Sequence, residues 1–344
     1  MRSTVGVTAL ATLVLATFTA HASTGTTAST ATKQTASKSA SVAPSAAKPA
    51  AASKPSSSTA STKAKATAKA KGPVKAARPF ASLKTGDGRR GPEIRSSAVL
   101  VIDESDSSIL LSRNADVAAP IASITKLMTS LVVLEANLPL EEIITISRAD
   151  RDIEKGAPSR LTLGAELTRG ELIHLALMSS ENHAAHALGR TYPGGTDAIL
   201  DAMNAKAKAL GMKRTHFTDT SGLSAGNIAS AEDLSKLVIA ASQNPLIEKY
   251  STDPDETLMV GRHPVEYRNT NGLVRKPEWD IRVQKTGYTQ AAGRCLVMKT
   301  FIDDRPIVMV LMNSFGKYTR TADAIRVRRW METALDQAQL AGSR

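Results

Sequence analysis

The sequence predicts an α+β domain of about 250 residues, with short strands at both ends, helices between them, and a sheet that closes only when the last strands arrive. Three observations carry that prediction. Ala98 to Asp103 and Ile109 to Ser112 are short apolar runs suited to a strand pair. From Ile124 to Val238 the apolar residues recur mostly at helical spacing. Ile281 to Gln284, Cys295 to Ile302 and Ile307 to Met312 return to short apolar runs, with a turn expected at Asp303-Asp304.

In chain order, the first segment resembles an export signal. Arg2 precedes a mostly apolar run from Val5 to Phe18, followed by Ala20-His21-Ala22 as a small-x-small cleavage site. Residues 1–22 are therefore expected to be a signal peptide, with an uncleaved anchor as the alternative, and the protein to be exported to the periplasm. Between Ser23 and Gly72, 46 of 50 residues are Ala, Ser, Thr, Lys or Pro, and none is acidic. Such a segment buries too little apolar surface to offset its backbone entropy, so residues 23–92 are expected to form a disordered tether. This tail holds most of the charge imbalance. Residues 1–95 carry 15 basic and 2 acidic side chains, whereas residues 96–344 carry 29 and 30. A Lys-rich tail of this type would also suit nucleic acid, but an exported chain seldom meets it, and 3% aromatic residues argue against a single-strand stacking platform; an anionic wall polymer, a membrane surface or a plain spacer role is expected instead.

Residues 93–344 are then the folded domain. After the first strand pair, Ile124, Leu127, Met128, Leu131, Val132 and Leu134 mark a helix that Asn137-Leu138-Pro139 stops. Thr168 and Glu171 form a capping box ahead of Leu172, Ile173, Leu175 and Ala176. That helix is expected to break at Ser180-Glu181-Asn182, before a second from Ala184 to Leu188. Ser230 and Asp233 give a similar start, with Asn244-Pro245 ending the helix. A last amphipathic helix is expected from about Ala322 to Leu340, facing inward through Ala324, Ile325, Trp330, Ala334 and Leu335. Met203, Met212, Met298, Met309 and Met312 are expected core filler, and His174 is expected to pack at a helix border. Cys295, the one cysteine, can make no internal disulfide.

Three short motifs carry the candidate chemistry. Ser123-Ile124-Thr125-Lys126 opens the first long helix, where residues three apart share a face, so the Lys amine can reach the Ser hydroxyl. A serine is inert at neutral pH unless a neighbour takes its proton, and lysine can do so only if its pKa is depressed. Ser180-Glu181-Asn182 sits at a helix junction able to aim a hydroxyl and an amide into a cleft, though ordinary capping would use the same residues. Lys285-Thr286-Gly287 ends an apolar strand ahead of Tyr288. On an edge strand, Gly287 would let a substrate backbone approach, Lys285 would supply positive charge, and Thr286 could bind a carboxylate. The tail contains decoys, Ser45-Ala46-Ala47-Lys48 and Lys84-Thr85-Gly86, but without a helix behind the first or a strand carrying the second. His183 and His186 share a helix face near Glu181, yet zinc catalysis needs a further ligand and a general base, and no HExxH pattern completes the set; no metal or cofactor is expected.

Taken together and in this order, SxxK, SxN and KTG resemble the set found in penicillin-binding proteins and class A β-lactamases. Pro120 to Met128, Leu177 to Asn182, Tyr192-Pro193-Gly194-Gly195, Met203 to Lys208 and Phe315-Gly316-Lys317-Tyr318 look like the D-alanyl-D-alanine endopeptidases of the penicillin-binding protein 7 type. The Lys-rich tail departs from that type. The resemblance implies a D,D-peptidase fold with a five-stranded antiparallel sheet flanked by helices. It also implies that peptidoglycan stem peptides are the substrate and β-lactams covalent inhibitors. By the same resemblance Ser123 is the nucleophile, Lys126 the base, Ser180 a proton relay and Asn182 a holder of Lys126 and substrate. Lys285 would keep Lys126 neutral by repulsion, and the backbone N–H groups of Ser123 and Tyr288 would make an oxyanion hole. Arg160, Arg190 and Arg294 are candidate cations for the acidic group beyond the cut bond. The alternatives are a D-Ala-D-Ala carboxypeptidase, a serine β-lactamase or a non-catalytic wall-binding module. No ExxLN pattern lies between Asn182 and Lys285 to support the β-lactamase, and the short stretch after Gly287 is expected to hold two strands and a helix without a further domain.

Overall fold

The computed structural model describes residues 91–151 and 159–342. The expected signal peptide, and the tail as far as residue 90, lie outside the described residues. In chain order the elements are β1 (Ala98–Asp103), β2 (Ser108–Arg113), β3 (Ala119–Pro120) and α1 (Thr125–Glu135). Next come β4 (Ile143–Thr145), β5 (Glu166–Thr168), α2 (Arg169–Met178), α3 (Asn182–Arg190), α4 (Gly195–Ala209) and β6 (Ile228–Ala229). They are followed by α5 (Ala231–Ala241), α6 (Pro245–Thr252), β7 (Asp255–Val260), β8 (His263–Arg268), β9 (Asp280–Thr289), β10 (Gly293–Ile302), β11 (Arg305–Ser314) and α7 (Thr319–Gly342).

The central sheet is antiparallel, in the order β2-β1-β11-β10-β9. The first strand pair docks onto the last three strands, with Ala98 opposite Met312 and Asp103 opposite Ile307, so the sheet does close late. Asp303 and Asp304, at φ 49° and 61°, make the tight β10–β11 turn, the left-handed geometry that hairpin turns favour. Both faces of the sheet are covered. Leu100, Val283, Val297, Val308 and Val310 pack against the helices that follow β3. Val99, Val101, Leu296, Met298, Met309 and Leu311 pack against Ala324, Val327 and Met331 of α7. Burial on two faces explains why these strands read as continuous apolar runs and not as alternation; each fully buried aliphatic side chain contributes roughly 1.5–3 kcal/mol. The five core methionines are all buried. The buried carboxylate of Asp323 on α7 accepts from the backbone N–H and hydroxyl of Ser96, tying the last helix to the segment that leads into β1.

Capping chemistry sets several helix starts. Thr168 and Glu171 make the reciprocal box, Glu171 N–H to Thr168 Oγ1 at 3.1 Å and Thr168 N–H to Glu171 Oε2 at 2.7 Å. Ser230 accepts from the Asp233 N–H, but Asp233 turns its own carboxylate to the backbone of Arg214, so that box is one-armed. Asn244-Pro245 does more than end α5. Asn244 accepts from the N–H groups of Leu246 and Ile247 with Pro245 in the first turn, and starts α6. α4 and the β7–β8 hairpin are elements that the sequence pattern did not announce. α4 opens on two left-handed glycines, Gly194 and Gly195, which read as a turn, and the hairpin strands are half-exposed and carry charge, His and Pro.

Candidate active site

Ser123 lies in a single 3₁₀ turn, Ala122–Ile124, that runs directly into α1. α1 is buried almost all round, polar residues Thr125, Lys126, Thr129 and Ser130 included. Lys126, one turn after Ser123, is therefore taken out of water with its amine directed at Ser123. Its Nζ donates to Ser123 Oγ at 2.9 Å, Asn182 Oδ1 at 2.7 Å and the Ser221 carbonyl at 2.7 Å, which uses the full donor capacity of an ammonium. Burial lowers its pKa from the ordinary lysine value to about 7, against the opposing pull of Asp219 and Glu181. An amine poised near neutrality and in hydrogen-bond contact with a hydroxyl has the geometry and the proton affinity of a general base.

The second motif turns the chain between two helices. Ser180 adopts a left-handed φ of 65°, Glu181 precedes the first turn of α3, and Asn182 is its first residue. This places the Asn182 amide on Lys126. Ser180 is partly exposed and makes no hydrogen bond to Ser123 or Lys126 among the described residues. The buried Glu181 carboxylate accepts from Ser159 Oγ at 2.5 Å and pairs with Arg160 at 3.7 Å. His183 Nδ1 lies 2.9 Å from the Leu161 carbonyl, and His174 stacks on Tyr250 at 4.6 Å with Nε2 3.0 Å from Asp253. Among the described residues no group of three or more His, Cys, Asp or Glu could hold a metal.

The third motif lies within β9, not at its end, and β9 is an edge strand. A Cβ on Gly287 would stand 2.8 Å from the Ile121 carbonyl oxygen and 3.2 Å from the Ser123 nitrogen. Only a bare backbone lets the strand lie this close to the turn that carries Ser123. Lys285 is buried, and its amine donates to the Thr286 carbonyl at 3.1 Å. The Thr286 hydroxyl lies 2.6 Å from that of Thr270, while the Tyr288 ring is exposed beneath the Arg294 guanidinium, 4.2 Å from the ring centre.

Burial is the largest cause of the depression at Lys126. Lys285 is held well below the ordinary lysine range by burial first, then by Lys126 and Arg320, and because repulsion between two cations is mutual, Lys285 disfavours the charged form of Lys126 in turn. The three candidate arginines also divide. Arg160 lies over Tyr267 and against Glu181, beside the second motif, and Arg294 sits beside the third. Arg190 is engaged by buried Asp150 at 2.8 Å and the Thr145 carbonyl, bracing the region around β4.

Two parts of the site gave no signal in the sequence reading. Arg320, at the start of α7, donates to the carbonyls of Gly287 at 2.7 Å and Cys295 at 3.2 Å, and burial brings its pKa down to about 10. It thus places a cation behind the KTG strand, just past the Phe315–Tyr318 segment, which does not itself include Arg320. The second part is the loop from Asp219 to Asn227, which supplies the Ser221 carbonyl. Its contact with Lys126 spans 95 residues of chain and leaves no periodic trace.

Compared with known proteins, residues 85–316 match the family model of D-alanyl-D-alanine carboxypeptidases. A D-alanyl-D-alanine endopeptidase of Pseudomonas aeruginosa is 47% identical over 244 residues, covering 70% of this chain and 78% of its own length. One from Escherichia coli is also 47% identical, with 79% of its length covered. The carboxypeptidase DacA of Escherichia coli is 28% identical over 249 residues, 70% of this chain and 61% of its own. Among solved structures, the Streptomyces K15 DD-transpeptidase superposes with a TM-score of 0.66 at 24% identity, over 70% of this chain and 98% of its own, which speaks to the fold.

Proposed function

The chain belongs to the D-alanyl-D-alanine carboxypeptidase family of serine D,D-peptidases, and on that footing we propose how its own residues divide the work. Ser123 Oγ attacks the carbonyl carbon of a D-Ala residue in a peptidoglycan stem peptide while Lys126 Nζ takes the hydroxyl proton. The N–H groups of Ser123 and Tyr288 receive the developing oxyanion. As the C–N bond breaks, the proton passes from Lys126, through Ser180, to the departing amine. Water, giving its proton to Lys126, then hydrolyses the ester and restores the Ser123 hydroxyl. Asn182 holds Lys126 and the substrate backbone. Lys285, Thr286 and Gly287 line the edge along which the peptide lies, and Thr286, already close to Thr270, orients a carboxylate. The observation that carries this reading is the contact of the depressed Lys126 amine with Ser123 Oγ. β-Lactams acylate the same serine, as the penicillin-binding family implies.

Within the family, the two 47% identical relatives are named endopeptidases and the 28% identical one a carboxypeptidase. The bond proposed to be cut is accordingly the cross-link from D-Ala to the side-chain amine of diaminopimelate. Given equal amounts of cross-linked dimer and monomeric pentapeptide, the protein should consume the dimer first, as followed by mass spectrometry of the muropeptides. Rapid release of free D-Ala with the dimer intact would make it a carboxypeptidase.

Residues 1–22 are proposed to direct export to the periplasm and residues 23–92 to tether the peptidase domain, residues 93–344, to anionic wall material. Among the described residues no helix is long and apolar enough to cross a membrane. The support for the tether is its unopposed lysine charge. Cosedimentation with purified walls should fall in a protein lacking residues 23–92, and should fall for the intact protein as salt rises. Equal binding by both would leave the tail a spacer.

A further inference from the structure

The loop from Asp219 to Asn227 lies against the nucleophile turn, and its backbone is organised by two side chains. The Asp219 carboxylate accepts from the N–H of Ser221 at 2.7 Å and also from the N–H groups of Gly222 and Ser224. The Asn227 side chain accepts from the N–H groups of Thr218 and Asp219 at 2.7 and 3.0 Å, and donates to the Asp219 carbonyl and to Thr125 Oγ1, each at 2.9 Å. Thr125 in turn donates to the Ala122 carbonyl at 2.9 Å. Two consequences reach the chemistry. The Ser221 carbonyl is aimed at Lys126 Nζ, and Gly222 sits so close under the nucleophile turn that a Cβ there would stand 1.9 Å from the Ala122 oxygen.

We infer that Asp219 is a positioning residue for the Lys126 base, folding residues 219–224 so that the Ser221 carbonyl fixes the amine toward Ser123 while the carboxylate sets the charge that the amine faces. This rests on the assignment of Lys126 as base. As a brace the carboxylate accepts on both oxygens, Oδ1 from Ser221 and Gly222 and Oδ2 from Ser224. Asp219 also lies near enough to Lys126 to favour its protonated form, and does so more strongly than Glu181. The charged and titratable groups facing Lys126 are Asp219 from the loop, Glu181 from the α2–α3 junction and Lys285 from β9, with Arg320 behind Lys285. Asp219 thus keeps the base from losing its affinity for the serine proton while burial drives its pKa down.

The test is the rate of acylation by a fluorescent penicillin between pH 5 and 9, using the full-length protein and its Asp219→Asn and Asp219→Glu variants. Asp219→Asn removes a negative charge and one of the two acceptor oxygens, so the plateau should fall and, because Lys126 deprotonates more readily, the acid limb should move to lower pH by about half a unit to one unit. Asp219→Glu keeps the charge but displaces its oxygens, so the limb should stay while the plateau falls about tenfold or more. An Asp219→Asn limb at the wild-type position, or an Asp219→Glu plateau at the wild-type level, would overturn the assignment. Should Asp219→Asn fail to fold, by thermal melting, the Glu variant still decides. Wild-type protein that forms no penicilloyl adduct would instead sink the underlying assignment of the base.

Discussion

Ser123→Ala should lose penicillin acylation and muropeptide cleavage altogether, a fall of at least about ten-thousandfold in kcat, while the fold stands. No other hydroxyl accepts from Lys126 Nζ among the described residues. Removing this one leaves the amine with Asn182 and Ser221, so the structural loss is a single hydrogen bond of about 1 kcal/mol. In a domain of this size that lowers Tm by roughly 2–4 °C. Intact-mass spectrometry after penicillin treatment, beside circular dichroism of the same sample, checks both halves. An adduct on another serine of the variant would overturn the assignment.

The second large effect is in pH. Lys126 accepts a proton only when neutral, and its pKa of about 7 lies below the ordinary lysine value. Below pH 7 the cation dominates and kcat/KM should fall about tenfold per unit, whereas above it the rate should level off. At pH 7 about half of the molecules are competent; an ordinary lysine would supply fewer than about one in a thousand. Because burial is the largest cause of the shift and repulsion by Lys285 a smaller one, Lys285→Ala should move the limb upward by less than about one unit, and should also raise KM. A limb near pH 10 in the wild-type protein, or one displaced by more than a unit in the Lys285 variant, would show that desolvation of α1 is not what prepares the base.

How much of this could be read from the sequence follows from the range of the interactions. The contact between Ser123 and Lys126 is set by three residues of helix, and the Thr168–Glu171 box is equally local, so both are legible. The apolar runs of β9 to β11 announce strands because length and composition alone suffice. The Ser221 carbonyl reaches Lys126 from a distant part of the chain, and Arg320 reaches Gly287 from another helix; neither contact leaves a periodic trace. The cause of the Lys126 shift was hidden for a similar reason. Spacing shows an apolar stripe on α1 but not that helices and sheet enclose its polar side as well. Asn244-Pro245 illustrates the same limit at short range, since the residues that stop one helix also suit the start of the next.

The nucleophile turn has a further consequence. Ala122 holds a left-handed φ of 50°, which a residue bearing a side chain adopts reluctantly. It is kept there between two bare backbones, Gly222 of the loop and Gly287 of β9, and by the Thr125 hydroxyl on its carbonyl. The energetic cost of that conformation, on the order of 1–3 kcal/mol, is met once, when the chain folds. With the Ser123 N–H as the proposed oxyanion donor, that group is then already oriented when a tetrahedral oxyanion forms, so little reorganisation energy is left for the reaction itself to supply. Since the two glycines come from separate segments, slackening either would return part of that energy to the activation barrier, even with Ser123 and Lys126 untouched.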